Sequence, residues 1–380
     1  MSVDARFPAI SDLRARARRR VPHFVWEYLD SGTGSEATTR RNKQQFDAIR
    51  LMPSILHGEI APDLKTSILG QEFSLPVGMA PLGMSGMIWP GAEQLLASAA
   101  ARAGIPYTLS TVATQKPEDL TGAIGEHAWF QLYPPRDPDI RTDMLKRIRK
   151  AGFSTLVLTV DVPIASRRER QVRSGLTTPP RITPRILAQI AIRPAWAMGM
   201  AGRGMPRMRF IDDYAPDTKG LPSTKHAGYL LRTSPDWSYL TWLREHWNGP
   251  LIVKGVQDHR DVPRLQSEGV DAIWISNHAG RQFDAAPATI EALPRIRAAT
   301  DLPILLDGGV ESGLDILRAL ALGADFVMMG RAWHYALAAL GPQGPDHLVH
   351  VLKSDLEANM GQLGLHRPSE APSRLLPEAD

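Results

Sequence analysis

The chain has 380 residues, long for an ordinary domain but suited to one large α/β barrel, whose usual size is about 250 residues or more with insertions. An apolar fraction of 43% with 22% charged residues is that of a soluble globular protein, and a net charge of +4 is too mild to argue nucleic-acid binding. Because no cysteine is present, disulfides, thiolate nucleophiles, Cys-ligated zinc, iron–sulfur clusters and c-type haem are excluded, so redox chemistry needs a bound organic cofactor or a metal held by nitrogen and oxygen.

The N-terminus lacks the apolar core of a secretory signal, and no apolar run approaches the roughly 20 residues of a membrane span. The expected compartment is the cytoplasm, with peripheral contact at the inner face of the cell membrane as the alternative. Residues 1–74 form an extension that includes a helix, SDLRARARRRVPHFVWEYLD, with Ser11 as its N-cap; it is expected to cover one end of the main body. Its basic stretch RARARRR (14–20) reads as a solvated helix face, or alternatively as a contact for an anionic membrane surface.

From residue 75 onward, eight short apolar runs alternate with helical stretches: 75–80, 106–110, 128–133, 154–161, 250–255, 269–278, 303–309 and 324–331. Continuous apolar strands alternating with helices predict a parallel sheet buried on both faces, and eight units predict a closed (β/α)8 TIM barrel. One domain is expected through residue 365, interrupted by a long insert at 162–233 after the fourth run. The insert's segment ILAQIAIRPAWAMGMAGRGMPRMRF (186–210) suits either a membrane interface or a Met-rich flap packed on the barrel. The Pro-rich tail 366–380 is expected to be flexible or draped on the surface.

In such barrels the chemistry sits at the C-terminal strand ends. Those ends carry Ala80, Pro81, Leu82 and Gly83, then Ser110, Gln131 with Tyr133, Thr159 with Asp161, Lys254, His278 with Arg281, Asp307 with Gly308 and Gly309, and Gly330 with Arg331. Singly, each reads as a cap or a surface residue; together they point at one site. Gly309, Gly330 and Arg331 follow the last two strands, where barrels commonly cradle a phosphate, so a phosphate-bearing cofactor is expected. Lys254 would stabilise an anion on a reduced ring, or would merely pair with a barrel carboxylate. His278 is a base near neutral pH, Arg281 a fork for a carboxylate, and Asp161 a partner for the imidazole.

These residues resemble a known family. SNHAGRQFD (276–284) is similar to the SNHGGRQLD signature of the FMN-dependent α-hydroxy acid dehydrogenases and oxidases. The likeness extends through YLDSGTGSEATTRRN (28–42), LPVGMAPLG (75–83), GIPYTLST (104–111), WFQLY (129–133), LTVDVP (158–163), VKG (253–255) and DGGVESGLDILRALALGADFVMMGRA (307–332). It implies bound FMN. It makes His278 the base with Asp161 its partner, Arg281, Arg168 and Tyr28 the carboxylate site, and Tyr133 a hydrogen-bond partner of the substrate hydroxyl. Ala80 to Gly83, Ser110, Gln131, Thr159 and Lys254 would hold the flavin ring; Asp307 to Gly309, Gly330 and Arg331 would hold the phosphate. SRRERQ offers Arg167 and Arg170 as rivals of Arg168.

Two positions depart from the pattern: Ala279 stands where relatives have glycine, and Glu311 where they commonly have a phosphate-binding arginine. The insert resembles that of membrane-associated L-lactate dehydrogenases, and Gly83 leans the same way. The resemblance therefore implies an L-2-hydroxy acid dehydrogenase, with L-lactate first, a quinone or cytochrome as electron acceptor and a homotetramer. GMIWPG (86–91) keeps a mandelate-type dehydrogenase open, as is an oxygen-using oxidase.

Overall fold

The computed structural model describes residues 2–176, 182–215 and 234–376. Eight parallel strands close into a barrel: β3 (Val77–Met79), β4 (Tyr107–Ser110), β5 (Ala128–Leu132), β6 (Thr155–Thr159), β7 (Leu251–Val256), β8 (Ala272–Ile275), β9 (Ile304–Leu306) and β10 (Phe326–Met329). Closure comes from β10 pairing with β3, Val327 opposite Val77 and Met329 opposite Met79. Each of the eight apolar runs coincides with one of these strands, β7 alone running one residue past its run, so the expected TIM barrel is the observed fold.

Alternation along each strand decides what fills the barrel and what faces the helices. Trp129, Val157, Ile252, Trp274, Leu305, Phe326 and Met328 point inward and form a packed inner cluster, while Phe130, Leu156, Leu158, Val253, Ile273 and Ile275 pack outward. Two residues further along, the same inward parity yields Gln131, Thr159, Lys254, Ser276 and Asp307. The barrel interior is thus apolar below and polar at its C-terminal mouth.

The N-terminal end is plugged by a hairpin that the sequence reading did not anticipate, β1 (Thr66–Ile68) and β2 (Gln71–Phe73), whose Ile68 and Phe73 join the inner cluster. Phe73 meets Trp129 edge-on at 6.2 Å and Phe326 at 5.2 Å.

The expected N-terminal helix is two helices, Ile10–Arg20 and His23–Asp30, because Pro22 has no N–H to continue the first and disfavours helical backbone in the residue before it. The first helix starts at Ile10, ahead of Ser11, and Asp12 accepts the Ala9 N–H. Its arginines are only partly a solvated face. Arg16 and Arg20 both donate to the Ala339 carbonyl at the end of the helix Arg331–Leu340, and Arg14 pairs with Asp30. These helices and the following helix Ala37–Ala48 reach the barrel mouth.

The described part of the insert carries helices Pro184–Ala191 and Pro194–Ala201. Ile186 and Trp196 are buried, with the Trp196 indole N–H donating to the Met87 carbonyl and the ring edge-on to Phe24 at 6.0 Å. Ile182, Leu187, Ile192, Met198 and Met205 point outward and are 54–71% exposed, so the segment is packed on one face and bare on the other. Residues 177–181 and 216–233 of the insert lie outside the described residues.

The 366–380 tail is draped as far as residue 376: the Met52 N–H donates to Arg374 and the Leu376 N–H to Arg50, adding a short bridge along the surface.

Candidate active site

A cavity of about 1280 Å³ opens at the C-terminal mouth of the barrel. Its lining includes Tyr28, Ala80, Pro81, Leu82, Gly83, Ser110, Gln131, Tyr133, Thr159, Arg168, Lys254, His278, Arg281, Asp307, Gly308, Gly309, Gly330 and Arg331. Every candidate residue read from the strand ends therefore faces one space, except Asp161, which stands behind His278.

Lys254 is 4% exposed, and its ammonium donates to Ser276 Oγ at 2.8 Å, with Asp307 Oδ2 at 3.4 Å and Asp161 Oδ2 at 3.7 Å. Burial favours loss of its proton, but the Asp161 and Asp307 carboxylates outweigh burial and raise its pKa, so it stays charged. Ser276 passes the cluster on, donating to Asp307 Oδ1 at 2.7 Å and accepting the His278 N–H at 3.0 Å.

Asp161 Oδ1 lies 3.0 Å from His278 Nδ1. Against burial, which would raise it, Lys254 and His278 hold the Asp161 carboxyl at about 2. An ionised carboxylate at Nδ1 keeps the proton there and leaves the Nε2 lone pair free. Burial, opposed by Asp161 and aided by Lys254 and Arg168, holds the imidazole below its ordinary pKa, so His278 is neutral and basic near pH 7. Gly255 makes room for this pairing: at φ +110°, an added Cβ would sit 2.6 Å from the Asp161 Cβ.

Arg281 is 9% exposed and donates to the carbonyls of Tyr28, Leu29 and Ser31. Burial first and the nearby Arg168 second pull its pKa down to about 9. Two guanidiniums crowded at one wall of a cavity, one of them anchored on neutral carbonyls, make a place for an anion. Arg168 is the guanidinium of its loop that faces the cavity; Arg170 is held by Glu27, Glu36 and Asp30, and Arg167 is exposed. The Tyr28 hydroxyl donates to the Gly83 carbonyl at 2.9 Å. Burial, then the Asp161 charge, push the Tyr133 phenol up, which leaves it a neutral hydroxyl.

His278, Ala279 and Gly280 are three successive residues with φ of +54°, +55° and +74°. Gly280 tolerates no side chain, since a Cβ would meet Thr39 Oγ1 at 2.5 Å. Ala279 adopts the left-handed conformation that glycine would adopt freely, and its carbonyl accepts from Arg331 Nη2 at 2.6 Å.

Several contributors carried no signal in the sequence. Asn42 and Asn277 exchange side-chain hydrogen bonds at 3.0 and 2.7 Å, locking the helix Ala37–Ala48 to the loop after β8. Glu93, 1% exposed, accepts from Gly86 and Thr114 and joins the loops after β3 and β4. Ser276 lies inside the recognised SNHAGRQFD stretch but was assigned no role there.

A model of the FMN-dependent dehydrogenases matches residues 17–377. The chain belongs to this family. It is 38% identical over 374 residues to an L-lactate dehydrogenase of Ectopseudomonas mendocina, covering 97% of this chain and 98% of that one. Its structure superposes with a TM-score of 0.92, at 32% identity, on a monotopic membrane protein, (S)-mandelate dehydrogenase, covering 98% of this chain and 100% of that one. A mandelate oxidase aligns with a TM-score of 0.81 at 29% identity, covering 97% of this chain and 98% of that one.

FMN is the cofactor of the family, and the cavity suits it. Among the described residues, the buried Thr159 Oγ1 and Gln131 Nε2 have no hydrogen-bond partner, as expected of groups that await a polar ring. Gly308 and Gly309, with φ of +95° and +99°, line the same cavity as Arg331, backbone and cation of the kinds that would suit a phosphate.

Two outcomes follow. Ala279→Gly should relieve left-handed strain of about 1 kcal/mol, partly offset by unfolded-chain entropy, and a melting temperature no higher than wild type would contradict this. With His278 as the base, its protonation would make kcat/KM fall on acidification with a midpoint below the ordinary histidine value of about 6.5, measured across pH 4.5–8.

Proposed function

We propose that this protein oxidises an L-2-hydroxy acid, L-lactate first, to the 2-oxo acid, and passes the electrons to a quinone or cytochrome. The observation that carries the reading is that His278, its Nδ1 turned to Asp161, lines the same cavity as Arg168 and Arg281. A base and an anion site on one cavity suit a substrate that carries both a hydroxyl and a carboxylate.

In this reading Arg281 and Arg168, with Tyr28, hold the carboxylate, and the Tyr133 hydroxyl hydrogen-bonds the substrate oxygen. His278 Nε2 takes the hydroxyl proton, and Asp161 stabilises the resulting imidazolium across the 3.0 Å contact. FMN supplies the two-electron acceptor for the hydride equivalent leaving the substrate carbon. Lys254, with Ser110, Gln131 and Thr159, would hold the flavin ring, and its charge would favour electron-rich forms of that ring. Asp307 to Gly309, Gly330 and Arg331 would hold the phosphate.

L-Lactate is favoured by the 38% identity to the lactate dehydrogenase over nearly the whole chain. A mandelate-type substrate is the second reading, supported by the apolar Met84, Met87, Val112, Leu176 and Met208 among the cavity's lining, which would suit a larger apolar side chain.

The reading extends to place and assembly. No helix among the described residues is long and apolar enough to cross a membrane. The outward faces of Pro184–Ala191 and Pro194–Ala201 suit shallow insertion at a membrane surface, where electrons would be handed over; the cytoplasmic leaflet and a homotetramer complete the proposal.

An anaerobic titration with L-lactate, D-lactate and (S)-mandelate, following the visible flavin absorption, tests the substrate. L-Lactate should bleach the flavin rapidly and D-lactate should not; bleaching by (S)-mandelate alone would transfer the assignment to the second reading. His278→Gln should retain the yellow colour while flavin reduction slows by about 10²–10⁴-fold, and wild-type reduction in that variant would remove His278 as the base. Replacing Leu187, Ile192 and Met198 together by serine should release the protein from vesicles containing anionic lipid while bleaching continues at the wild-type rate. Unchanged flotation with the vesicles would overturn the membrane face.

A further inference from the structure

The phosphate end of the cavity differs from the rest in its charge arrangement. Glu311 lines it, two residues beyond Gly309, and so places a carboxylate beside the site for a phosphate. An anion there works against binding a second anion, and Arg331 alone leaves a phosphate dianion only half balanced. Arg14, on the helix Ile10–Arg20, lines the same space, close enough to feel the Glu311 charge.

Arg14 is held in place with unusual economy. Asp30, 4% exposed, accepts from Arg14 Nε at 2.8 Å and from the Tyr335 hydroxyl at 2.8 Å, and pairs with Arg14 Nη2 at 2.7 Å. The backbone carbonyl of the same Asp30 accepts from Arg331 Nη1 at 2.8 Å. One residue therefore positions two guanidiniums that line one end of one cavity. Arg14 remains 48% exposed and retains N–H groups beyond those facing Asp30. Asp30 is also shared with Arg170, at 3.1 Å, so it does not neutralise Arg14 by itself. Of the cations on the helix Ala37–Ala48 that line the cavity, Lys43 is drawn to Asp315 and Asp47 at 3.4 and 3.7 Å, and Arg40 donates to the Ser35 carbonyl.

We infer that Arg14 provides the second cationic contact to the FMN phosphate, standing in from the N-terminal helix for the cation that Glu311 displaces from the loop after β9. The contact depends on FMN as the cofactor and is independent of which hydroxy acid the protein oxidises. Glu311 then opposes phosphate binding, and Arg14 counters both the phosphate and the carboxylate.

The test compares two flavins that share a ring and differ in the phosphate. Full-length protein stripped of flavin is titrated with FMN and with riboflavin, reading the quenching of flavin fluorescence. Arg14→Ala should weaken FMN by about 10–100-fold, the worth of one charge-assisted hydrogen bond, while riboflavin affinity changes by less than about threefold. Arg18→Ala, on the exposed side of the same helix, should change neither. Glu311→Gln should tighten FMN without affecting riboflavin, and adding Glu311→Arg to Arg14→Ala should restore FMN binding. Equal weakening of both flavins by Arg14→Ala would reduce its role to packing and overturn the inference, as would unchanged FMN affinity. If Arg14→Ala does not fold, Glu311→Gln and Glu311→Arg decide alone: no selective gain for FMN overturns it.

Discussion

A lone ammonium at the mouth of a packed barrel would lose its proton or leave, so the placement of Lys254 constrains everything around it. It is stable because Asp161 and Asp307, just past the strands on either side of the β7–β8 pair, approach it, and because Ser276 Oγ accepts a hydrogen bond from it. The two carboxylates are then committed: Asp161 has one oxygen toward Lys254 and the other for His278, while Asp307 accepts from Ser276 and from the Trp274 indole. The tautomer and basicity of His278 thus descend from the burial of a lysine on a neighbouring strand. Gly255 belongs to the same constraint, since any larger residue after Lys254 would push Asp161 out of line.

The N-terminal helices complete a site that the barrel alone leaves open. Arg281 rests on carbonyls from residues 28, 29 and 31, and Arg331 on the carbonyl of residue 30. The turn that supplies those carbonyls is itself held by Arg170 against Glu27, Asp30 and Glu36. The short helix Glu169–Ser174 of the insert and the helix His23–Asp30 therefore brace each other beside Arg168 and Arg281, which explains why three arginines in SRRERQ have three different surroundings.

The barrel and the ring of strand-end residues were legible in the sequence because they obey local rules. Apolar runs mark strands, and the switch from Trp129 to Gln131 or from Ile252 to Lys254 marks where the interior turns polar. The β1–β2 hairpin was not legible, for its strands have three residues each and too few alternations to rise above a loop. The single helix read over 11–30 ignored Pro22. Partnerships such as Asn42 with Asn277, or Arg14 with Asp30, link positions by tertiary geometry alone, and no periodicity announces them. The insert left two alternatives because its composition is truly double: Trp196 and Ile186 serve the flap, and Leu187 and Met198 face away from it.

The Arg281 contact to Leu29 joins residues 252 apart in the chain, and the Arg331 contact to Asp30 residues 301 apart. Such closures carry the largest loop entropy and come late in folding. Residues 28–31 cannot settle until the loop after β8 and the helix Arg331–Leu340 are in place. The wall of the cavity lined by Arg281 and Arg331 therefore exists only once these distant segments have met, so uptake of the yellow chromophore would double as a report of that late closure.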